Sequence, residues 1–299
     1  TSLGVGLWAK RHYGCPLVLD IDDWEVGGYL DYRLWRRVLL TLNVSNPNGY
    51  VFTNFIEKKI RYADAITTVS TFLQQRYGGT IVPHGRDANT FNPAHYDASE
   101  VRRHYELPQD RRLLLFLGTP RRHKGIHTLL KAQRLISRRP NLGNVHTVIA
   151  GIDWDHPLGS NIREWAAHLP VTLVGTLPFT EIPALLTAAD IVIIPQEQQP
   201  FSQAQIPAKL IDAMAMGKPI IASSVSDIPA ILDGCGVTVP PGDAQALANK
   251  VEMLLTNWVL AVGHGQKARQ RFLKQYTWDI MAEEVLPIFA RLEANIHRD

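Results

Sequence analysis

Three cations, Arg121, Arg122 and Lys124, crowd the loop PRRHKG, which directly follows the apolar run LLLFLGT ending at Gly118 and Thr119. A run so continuously apolar reads as a strand buried on both faces of a parallel sheet. Gly125 then permits a tight turn into the helix HTLLKAQRLI. Loops at that edge of an α/β sheet bind phosphates, and clustered cations favour an anion there over a merely solvated loop. A second anion site is suggested by residues 189–224, ADIVIIPQEQQPFSQAQIPAKLIDAMAMGKPIIASS. Ile191 to Ile194 reads as a buried strand. Pro207 fits the first position of a helix, with Leu210, Ile211, Met214 and Ala215 on its apolar face. Gly217 ends that helix and Pro219 to Ala222 forms the next strand, which makes one βαβ crossover. The amides of Ala208, Lys209 and Leu210 are expected to be free at the helix N-terminus, where Lys209 adds a charge. Asp212, in the second turn, is placed to accept hydrogen bonds from two ribose hydroxyls. A nucleoside diphosphate satisfies both features; an ordinary βαβ unit with a solvated Asp and Lys is the alternative that the local pattern leaves open.

The elements that must position these residues belong to an ordinary globular chain. Its 299 residues suggest about two domains, and 45% hydrophobic with 20% charged residues is a soluble composition. The net charge of +3 lacks the basic excess of a nucleic-acid binder. Cys15 and Cys235 stand alone, without CxxC, HExxH or zinc spacing, so neither a metal framework nor a disulfide is indicated. No apolar run approaches the roughly 20 residues that span a bilayer, and the chain reads as cytoplasmic.

Nearer the N-terminus, Cys15 to Ile21 reads as a strand delivering Asp22, Asp23, Trp24 and Glu25 at its C-terminal edge. The triplet within DIDD also fits a DxD metal motif, a pattern that arises easily by chance. Tyr29 to Tyr62 reads as two helical pieces broken at NVSNPNG. Trp35, Val38 and Leu39 form an apolar face there, flanked by Arg33, Arg36 and Arg37, which suits either a helix packed on a sheet or peripheral contact with an anionic membrane. ADAITTVS reads as a strand ending in Ser70, a cap for the helix TFLQQRYG that Gly78 closes. The strand TIVPHG then leads into RDANTFNP, where Gly85 and Asp87 are turn formers.

AKLIDAMAMGKPIIAS resembles the KLxEAMAxGxPVIAS segment of the retaining GT-B glycosyltransferases of the family 4 type, the glycosyl transferases group 1. Asp212 falls on the second Glu of that family's signature, the ribose binder; the first falls on Ala204, for which Glu197 or Gln203 would substitute. PRRHKG is similar to the family's GRxxxxKG, with Lys124 and Gly125 in register and Thr119 at the Arg position. The resemblance therefore implies a phosphate role for Lys124, with Arg121 as a displaced substitute. VTLVGTLPFTEIPALLTAADIVIIP resembles the stretch whose backbone holds the base, which maps to Thr176 and Leu177. In LVLDIDD, Asp22 stands where the family commonly has a His facing the sugar. SDIPAILDGCGVTVPPGDAQALANKV and TWDIMAEEVLPIFARL extend the resemblance, the latter to a terminal helix that crosses back to the first domain.

The resemblance implies an α/β GT-B fold: two Rossmann-like domains with a cleft between them. Residues 1–93 would be an incomplete acceptor-side domain, 94–275 the donor-binding domain and 276–299 the crossing helix. It implies metal-independent hexosyl transfer with retention, no cofactor, a UDP-, GDP- or ADP-sugar donor and a sugar or lipid-linked acceptor. Lys124, Arg121 and Asp22 would be catalytic. Gly118, Thr119, Arg122, Thr176, Leu177, Gln203, Ala208, Lys209 and Asp212 would bind the donor. Ala204, Thr119 and Asp22 depart from the pattern and favour a rival, a non-catalytic nucleotide-sugar-binding module. A GT-B UDP-sugar epimerase is a second rival, disfavoured by the KLxEAMAxGxP-type match.

Overall fold

The uninterrupted runs LLLFL, IVII and the apolar start of IIAS become strands. The computed structural model describes residues 2–30, 32, 35, 40 and 49–296, and divides into two units. The larger comprises Gly85–Gln198 and Pro207–Trp278. Its strands are β4 (Arg112–Leu117), β5 (Val145–Ile152), β6 (Val171–Gly175), β7 (Ile191–Ile194), β8 (Ile220–Ser223) and β9 (Val237–Val239). They pair in parallel in the order β6-β5-β4-β7-β8-β9. The strand order therefore reverses between β4 and β7, and ligands of open α/β sheets bind at the carboxyl ends of the strands beside such a switch point.

Alternation along β4 builds both layers of this unit. Leu113, Leu115 and Leu117 pack with Leu210, Ile211 and Met214 of the helix Ala208–Ala215 on one face. Leu114 and Phe116 pack on the other with Ile126, Leu129 and Leu130 of the helix Ile126–Ile136 and with Leu247 and Val251 of the helix Ala244–Thr256. A sheet buried on both faces explains why its strands read as continuous apolar runs. Arg86 fastens the start of this unit to its end: its N–H donates to Tyr276 O at 3.0 Å and its carbonyl accepts from Trp278 N at 3.1 Å. Phe91 lies in the same core. For that reason the division falls between His84 and Gly85, ahead of the boundary at Pro93 read from the sequence.

The smaller unit comprises Thr1–His84, Gln199–Ile206 and Asp279–Asp299. Its described strands β1 (Val18–Ile21), β2 (Ala65–Thr68) and β3 (Thr80–Ile81) pair in parallel in that order. The helix Thr71–Tyr77 starts as its sequence requires, with Ser70 Oγ accepting from Leu73 N. Of the stretch read as two helices, Tyr29 and Leu30 close the helix Glu25–Leu30, and Tyr50–Glu57 forms another. Arg33, Arg36, Arg37, Val38 and Leu39, the basis of the proposed amphipathic face, lie outside the described residues. Ile288 and Leu292 of the last helix, Trp278–Ile296, pack with Ala65. Gln199–Ile206 belongs to this unit although it lies between β7 and the helix Ala208–Ala215 of the larger one in chain order. Its short helix Pro200–Ala204 is held here because Ser70 Oγ donates to Ala204 O at 2.7 Å and the Ala204 methyl is buried with Trp24 and Leu73.

Candidate functional site

At the end of β4 the backbone turns through Gly118, whose φ of +117 belongs to a region that favours glycine. The space a side chain would take there is filled by Lys209, whose Nζ lies 3.0 Å from the position of an ideal Cβ on Gly118. The same ammonium stands over the Phe116 ring, 4.5 Å from its centroid. Burial, reinforced by the nearby Lys124 charge, brings the Lys209 ammonium down to about 7; Asp212 opposes that fall. Across the switch point, Gly125 (φ +68) runs so close to the end of β7 that any Cβ would overlap Pro195 O. Glu197 N donates to His123 O at 2.8 Å, and Thr128 Oγ1 donates to Glu197 Oε1 at 2.6 Å. The basic loop is thus laced to the segment that follows β7. His123 is pushed down to about 4, by burial first and then by Lys124, Lys209 and Arg121. Four basic side chains consequently share one electrostatic environment at the carboxyl edge of the sheet, where an anion is stabilised most strongly.

The helix N-terminus opens here too. Pro207 is the N-cap and Ala208 the first helical residue, one position later than the sequence suggested. Leu210 N donates to Pro207 O at 2.8 Å, so the free amides are those of Ala208 and Lys209, and Leu210 is withdrawn from the expected set. Asp212 is buried. Its Oδ1 accepts from Arg86 Nε at 2.6 Å, a partner that its sequence neighbourhood does not reveal. Burial lifts the Asp212 carboxyl to about 6 even though Arg86 and Lys209 both pull it down.

The larger unit brings Gly118, Lys124, Arg121, Lys209 and Asp212 into this neighbourhood. Thr119 continues the turn after Gly118, while Arg122 is exposed in the basic loop. Thr176 follows β6 and is exposed, and Leu177 packs against the first apolar layer. Asp22 and Gln203 are residues of the smaller unit. Protein packed around the Asp22 carboxyl raises it above the usual range, helped by Asp20 and Asp23 and opposed by His84. Asp23 accepts from Gln205 Nε2 at 2.9 Å. Among the described residues no group of three or more His, Cys, Asp or Glu is arranged to hold a metal ion.

Residues 111–257 match the family described as glycosyl transferases group 1. This segment is a glycosyl transferases group 1 domain. An uncharacterized glycosyltransferase of Methanocaldococcus jannaschii is 26% identical over 211 residues, 67% of this chain and 52% of that protein. Sucrose-phosphate synthase from Thermosynechococcus elongatus superposes with a TM-score of 0.78 at 24% identity, over 98% of this chain and 72% of the other. HepE of Anabaena, solved in complex with UDP-glucose, superposes with a TM-score of 0.74 at 18% identity, covering 97% and 76% of the two chains. The fold is the α/β fold of GT-B glycosyltransferases. The chain spans about half the length of several curated relatives it matches. Among the described residues no helix of this chain is long and apolar enough to cross a membrane.

Proposed function

We propose that this chain transfers a hexosyl group from a nucleoside-diphosphate sugar to an acceptor hydroxyl with retention of configuration. The observation that carries the reading is the ammonium of Lys209 held over Gly118, its charge disfavoured by burial, beside the free amides of Ala208 and Lys209. A diphosphate supplies the missing counter-charge. As the glycosidic bond breaks, negative charge grows on the departing diphosphate, and Lys124, Arg121 and these amides stabilise it more than they stabilise the ground state. The acceptor oxygen bonds to the anomeric carbon on the face that the diphosphate leaves, and its proton passes to the departing phosphate oxygen. Asp212 holds the ribose, the backbone at Thr176 and Leu177 the base, and Gly118, Thr119 and Arg122 complete the donor site. The resemblance assigns to Asp22 the position that the family gives to a sugar-facing His, and to Glu197 or Gln203 the sugar contact of the missing Glu.

Protein cations neutralise the diphosphate in this scheme, so turnover is expected to survive chelators. The UDP-glucose held by the Anabaena neighbour makes UDP-glucose the first donor to test, followed by GDP- and ADP-sugars. The acceptor is a sugar or a lipid-linked molecule. Peripheral membrane contact of the smaller unit is supported by exposed Phe52, Phe55 and Tyr62 alongside Lys58, Lys59 and Arg61. A donor panel incubated with and without acceptors tests the reading. Nucleotide released only when acceptor is present is the expected outcome; tight donor binding with no release across the panel would favour the non-catalytic module.

A further inference from the structure

Arg86 has no part in the donor-site reading, yet both its backbone and its side chain are held in place near the site. Its backbone is bridged to Thr277 on both sides. Its guanidinium donates to Asp212 Oδ1 at 2.6 Å and to Gly85 O at 2.8 Å. The guanidinium also lies 5.7 Å from the Phe91 centroid and 5.3 Å from that of Phe179, just beyond Leu177. The Arg86 and Asp212 side chains are only 16% and 8% exposed, so the pair is shielded from solvent screening. Among the described residues Asp212 Oδ2 carries no hydrogen bond. Arg86 therefore ties the carboxylate on one side of the site to the aromatic turn on the other.

We propose that Arg86 is a positioning residue of the nucleoside-diphosphate site: by gripping Oδ1 it keeps the Asp212 carboxylate ionised and presents Oδ2 to the ligand. The inference rests on the donor-site reading given above. A buried carboxylate without its cation takes up a proton, and a protonated Asp212 loses its charge-assisted bonds to ribose hydroxyls. Arg86 thereby sets the acid limit of binding while touching no reacting atom.

The other charged groups facing this helix act differently. Lys209, on the same helix as Asp212, falls to about 7, so loss of its charge weakens anion binding on the alkaline side. His123 titrates near 4, below the relevant window. Arg269, on the packed helix Trp258–Gln275, donates to the carbonyls of Ala215 and Phe91. Lys218, brought down to about 8 by burial, donates to the carbonyls of Thr187 and Ala189. Glu181 accepts from the Tyr105 hydroxyl, and the hydroxyl of the buried Tyr276 is raised above its ordinary range, chiefly by burial. Strand β8 carries no ionisable side chain.

The test is calorimetric titration of the whole chain with UDP-, GDP- and ADP-glucose from about pH 5 to about pH 8, a window in which these diphosphate diesters do not titrate. In the parent, affinity for the tightest of the three falls as pH drops through about 6, the Asp212 value. In Arg86→Gln and Arg86→Met that fall moves upward by about one pH unit or more, which at neutral pH weakens binding roughly twofold for a one-unit shift and roughly tenfold for a two-unit shift. Arg86→Lys restores most of the parental acid limb. A parental pH profile in Arg86→Gln overturns the proposal, as does an Arg86→Lys profile displaced as far as that of Arg86→Gln. If Arg86→Met does not fold, the Gln and Lys pair decides alone. Asp212→Asn separates the two readings. If Asp212→Asn binds as the parent does, or the parent binds none of the three, the donor-site reading falls and takes this one with it. If Asp212→Asn binds weakly while Arg86→Gln keeps the parental profile, the role of Arg86 alone is refuted.

Discussion

The Lys209 ammonium occupies the space that a side chain on Gly118 would need, with Nζ 3.0 Å from the ideal Cβ position. Glycine at 118 is favoured by its φ of +117, and an added Cβ would also push the end of the Lys209 side chain aside. Gly118→Ala is expected to cost about 1–3 kcal/mol through backbone strain and to displace Lys209 from its place over Phe116. Thermal unfolding and nucleotide-sugar titration together check this, with Gly143→Ala, which meets nothing within 4 Å, as the control. Stability lost without any change in donor affinity would separate Lys209 from the binding site.

Burial that holds Lys209 at about 7 has a measurable consequence on binding. A diphosphate restores the proton-bound form, so at a pH slightly above 7 binding should take up a fraction of a proton. Calorimetric enthalpies in buffers of different ionisation heat report that uptake, and Lys209→Met should abolish it. The sign for stability follows from the same shift. The unfolded chain binds more protons than the folded one between about 7 and the ordinary lysine value, so Lys209 makes the fold more stable as pH rises through that window. Enthalpies that do not vary with buffer would contradict the assignment.

In the proposed donor site Lys124 would face the same diphosphate from the basic loop, and its role is expected to be kinetic. The charge it opposes is largest after the glycosidic bond has stretched, so Lys124→Ala should lower kcat by more than it raises the donor KM. Steady-state rates with a productive donor and acceptor provide the comparison. A mutant altered only in KM would make Lys124 a ground-state binder.

The parts of the neighbourhood legible in the sequence are those built from consecutive residues. LLLFLGTPRRHKG and PAKLIDAMA each encode a strand end or a helix start together with the polar groups it presents, so Gly118, Lys124, Ala208 and Lys209 could be placed from local pattern alone. Arg86 could not, because its carboxylate partner is 126 positions away and no local rule links the two. The same physics hid the placement of Gln199–Ile206. Its attachment depends on Ser70 reaching the Ala204 carbonyl across 134 positions, while its own sequence says only that a polar loop follows β7. The helix start was misplaced by one residue because proline suits both the N-cap and the first helical position, and helix ends are defined only to within a residue or two.

Gly125 tests the lacing between the basic loop and the end of β7. Two glycines with similar φ, Gly125 at +68 and Gly234 at +70, differ in what surrounds them. A Cβ on Gly234 meets nothing within 4 Å, whereas one on Gly125 overlaps Pro195 O. Gly234→Ala should therefore lose only the left-handed backbone cost, about 1–2 kcal/mol. Gly125→Ala must in addition separate two backbone segments joined by the bond from Glu197 N to His123 O and braced by Thr128 on Glu197. An extra loss of about 1–3 kcal/mol is expected, as for overpacking in an interior. Urea unfolding of both variants isolates that difference, since the shared backbone term cancels. Donor titration adds a second reading: Gly125→Ala should weaken nucleotide-sugar binding because it shifts Lys124, its immediate neighbour, and Gly234→Ala should leave binding unchanged. Equal stability losses in the two variants would show that the loop yields freely, and the rigid placement of Lys124 beside Lys209 would then have no basis in this contact.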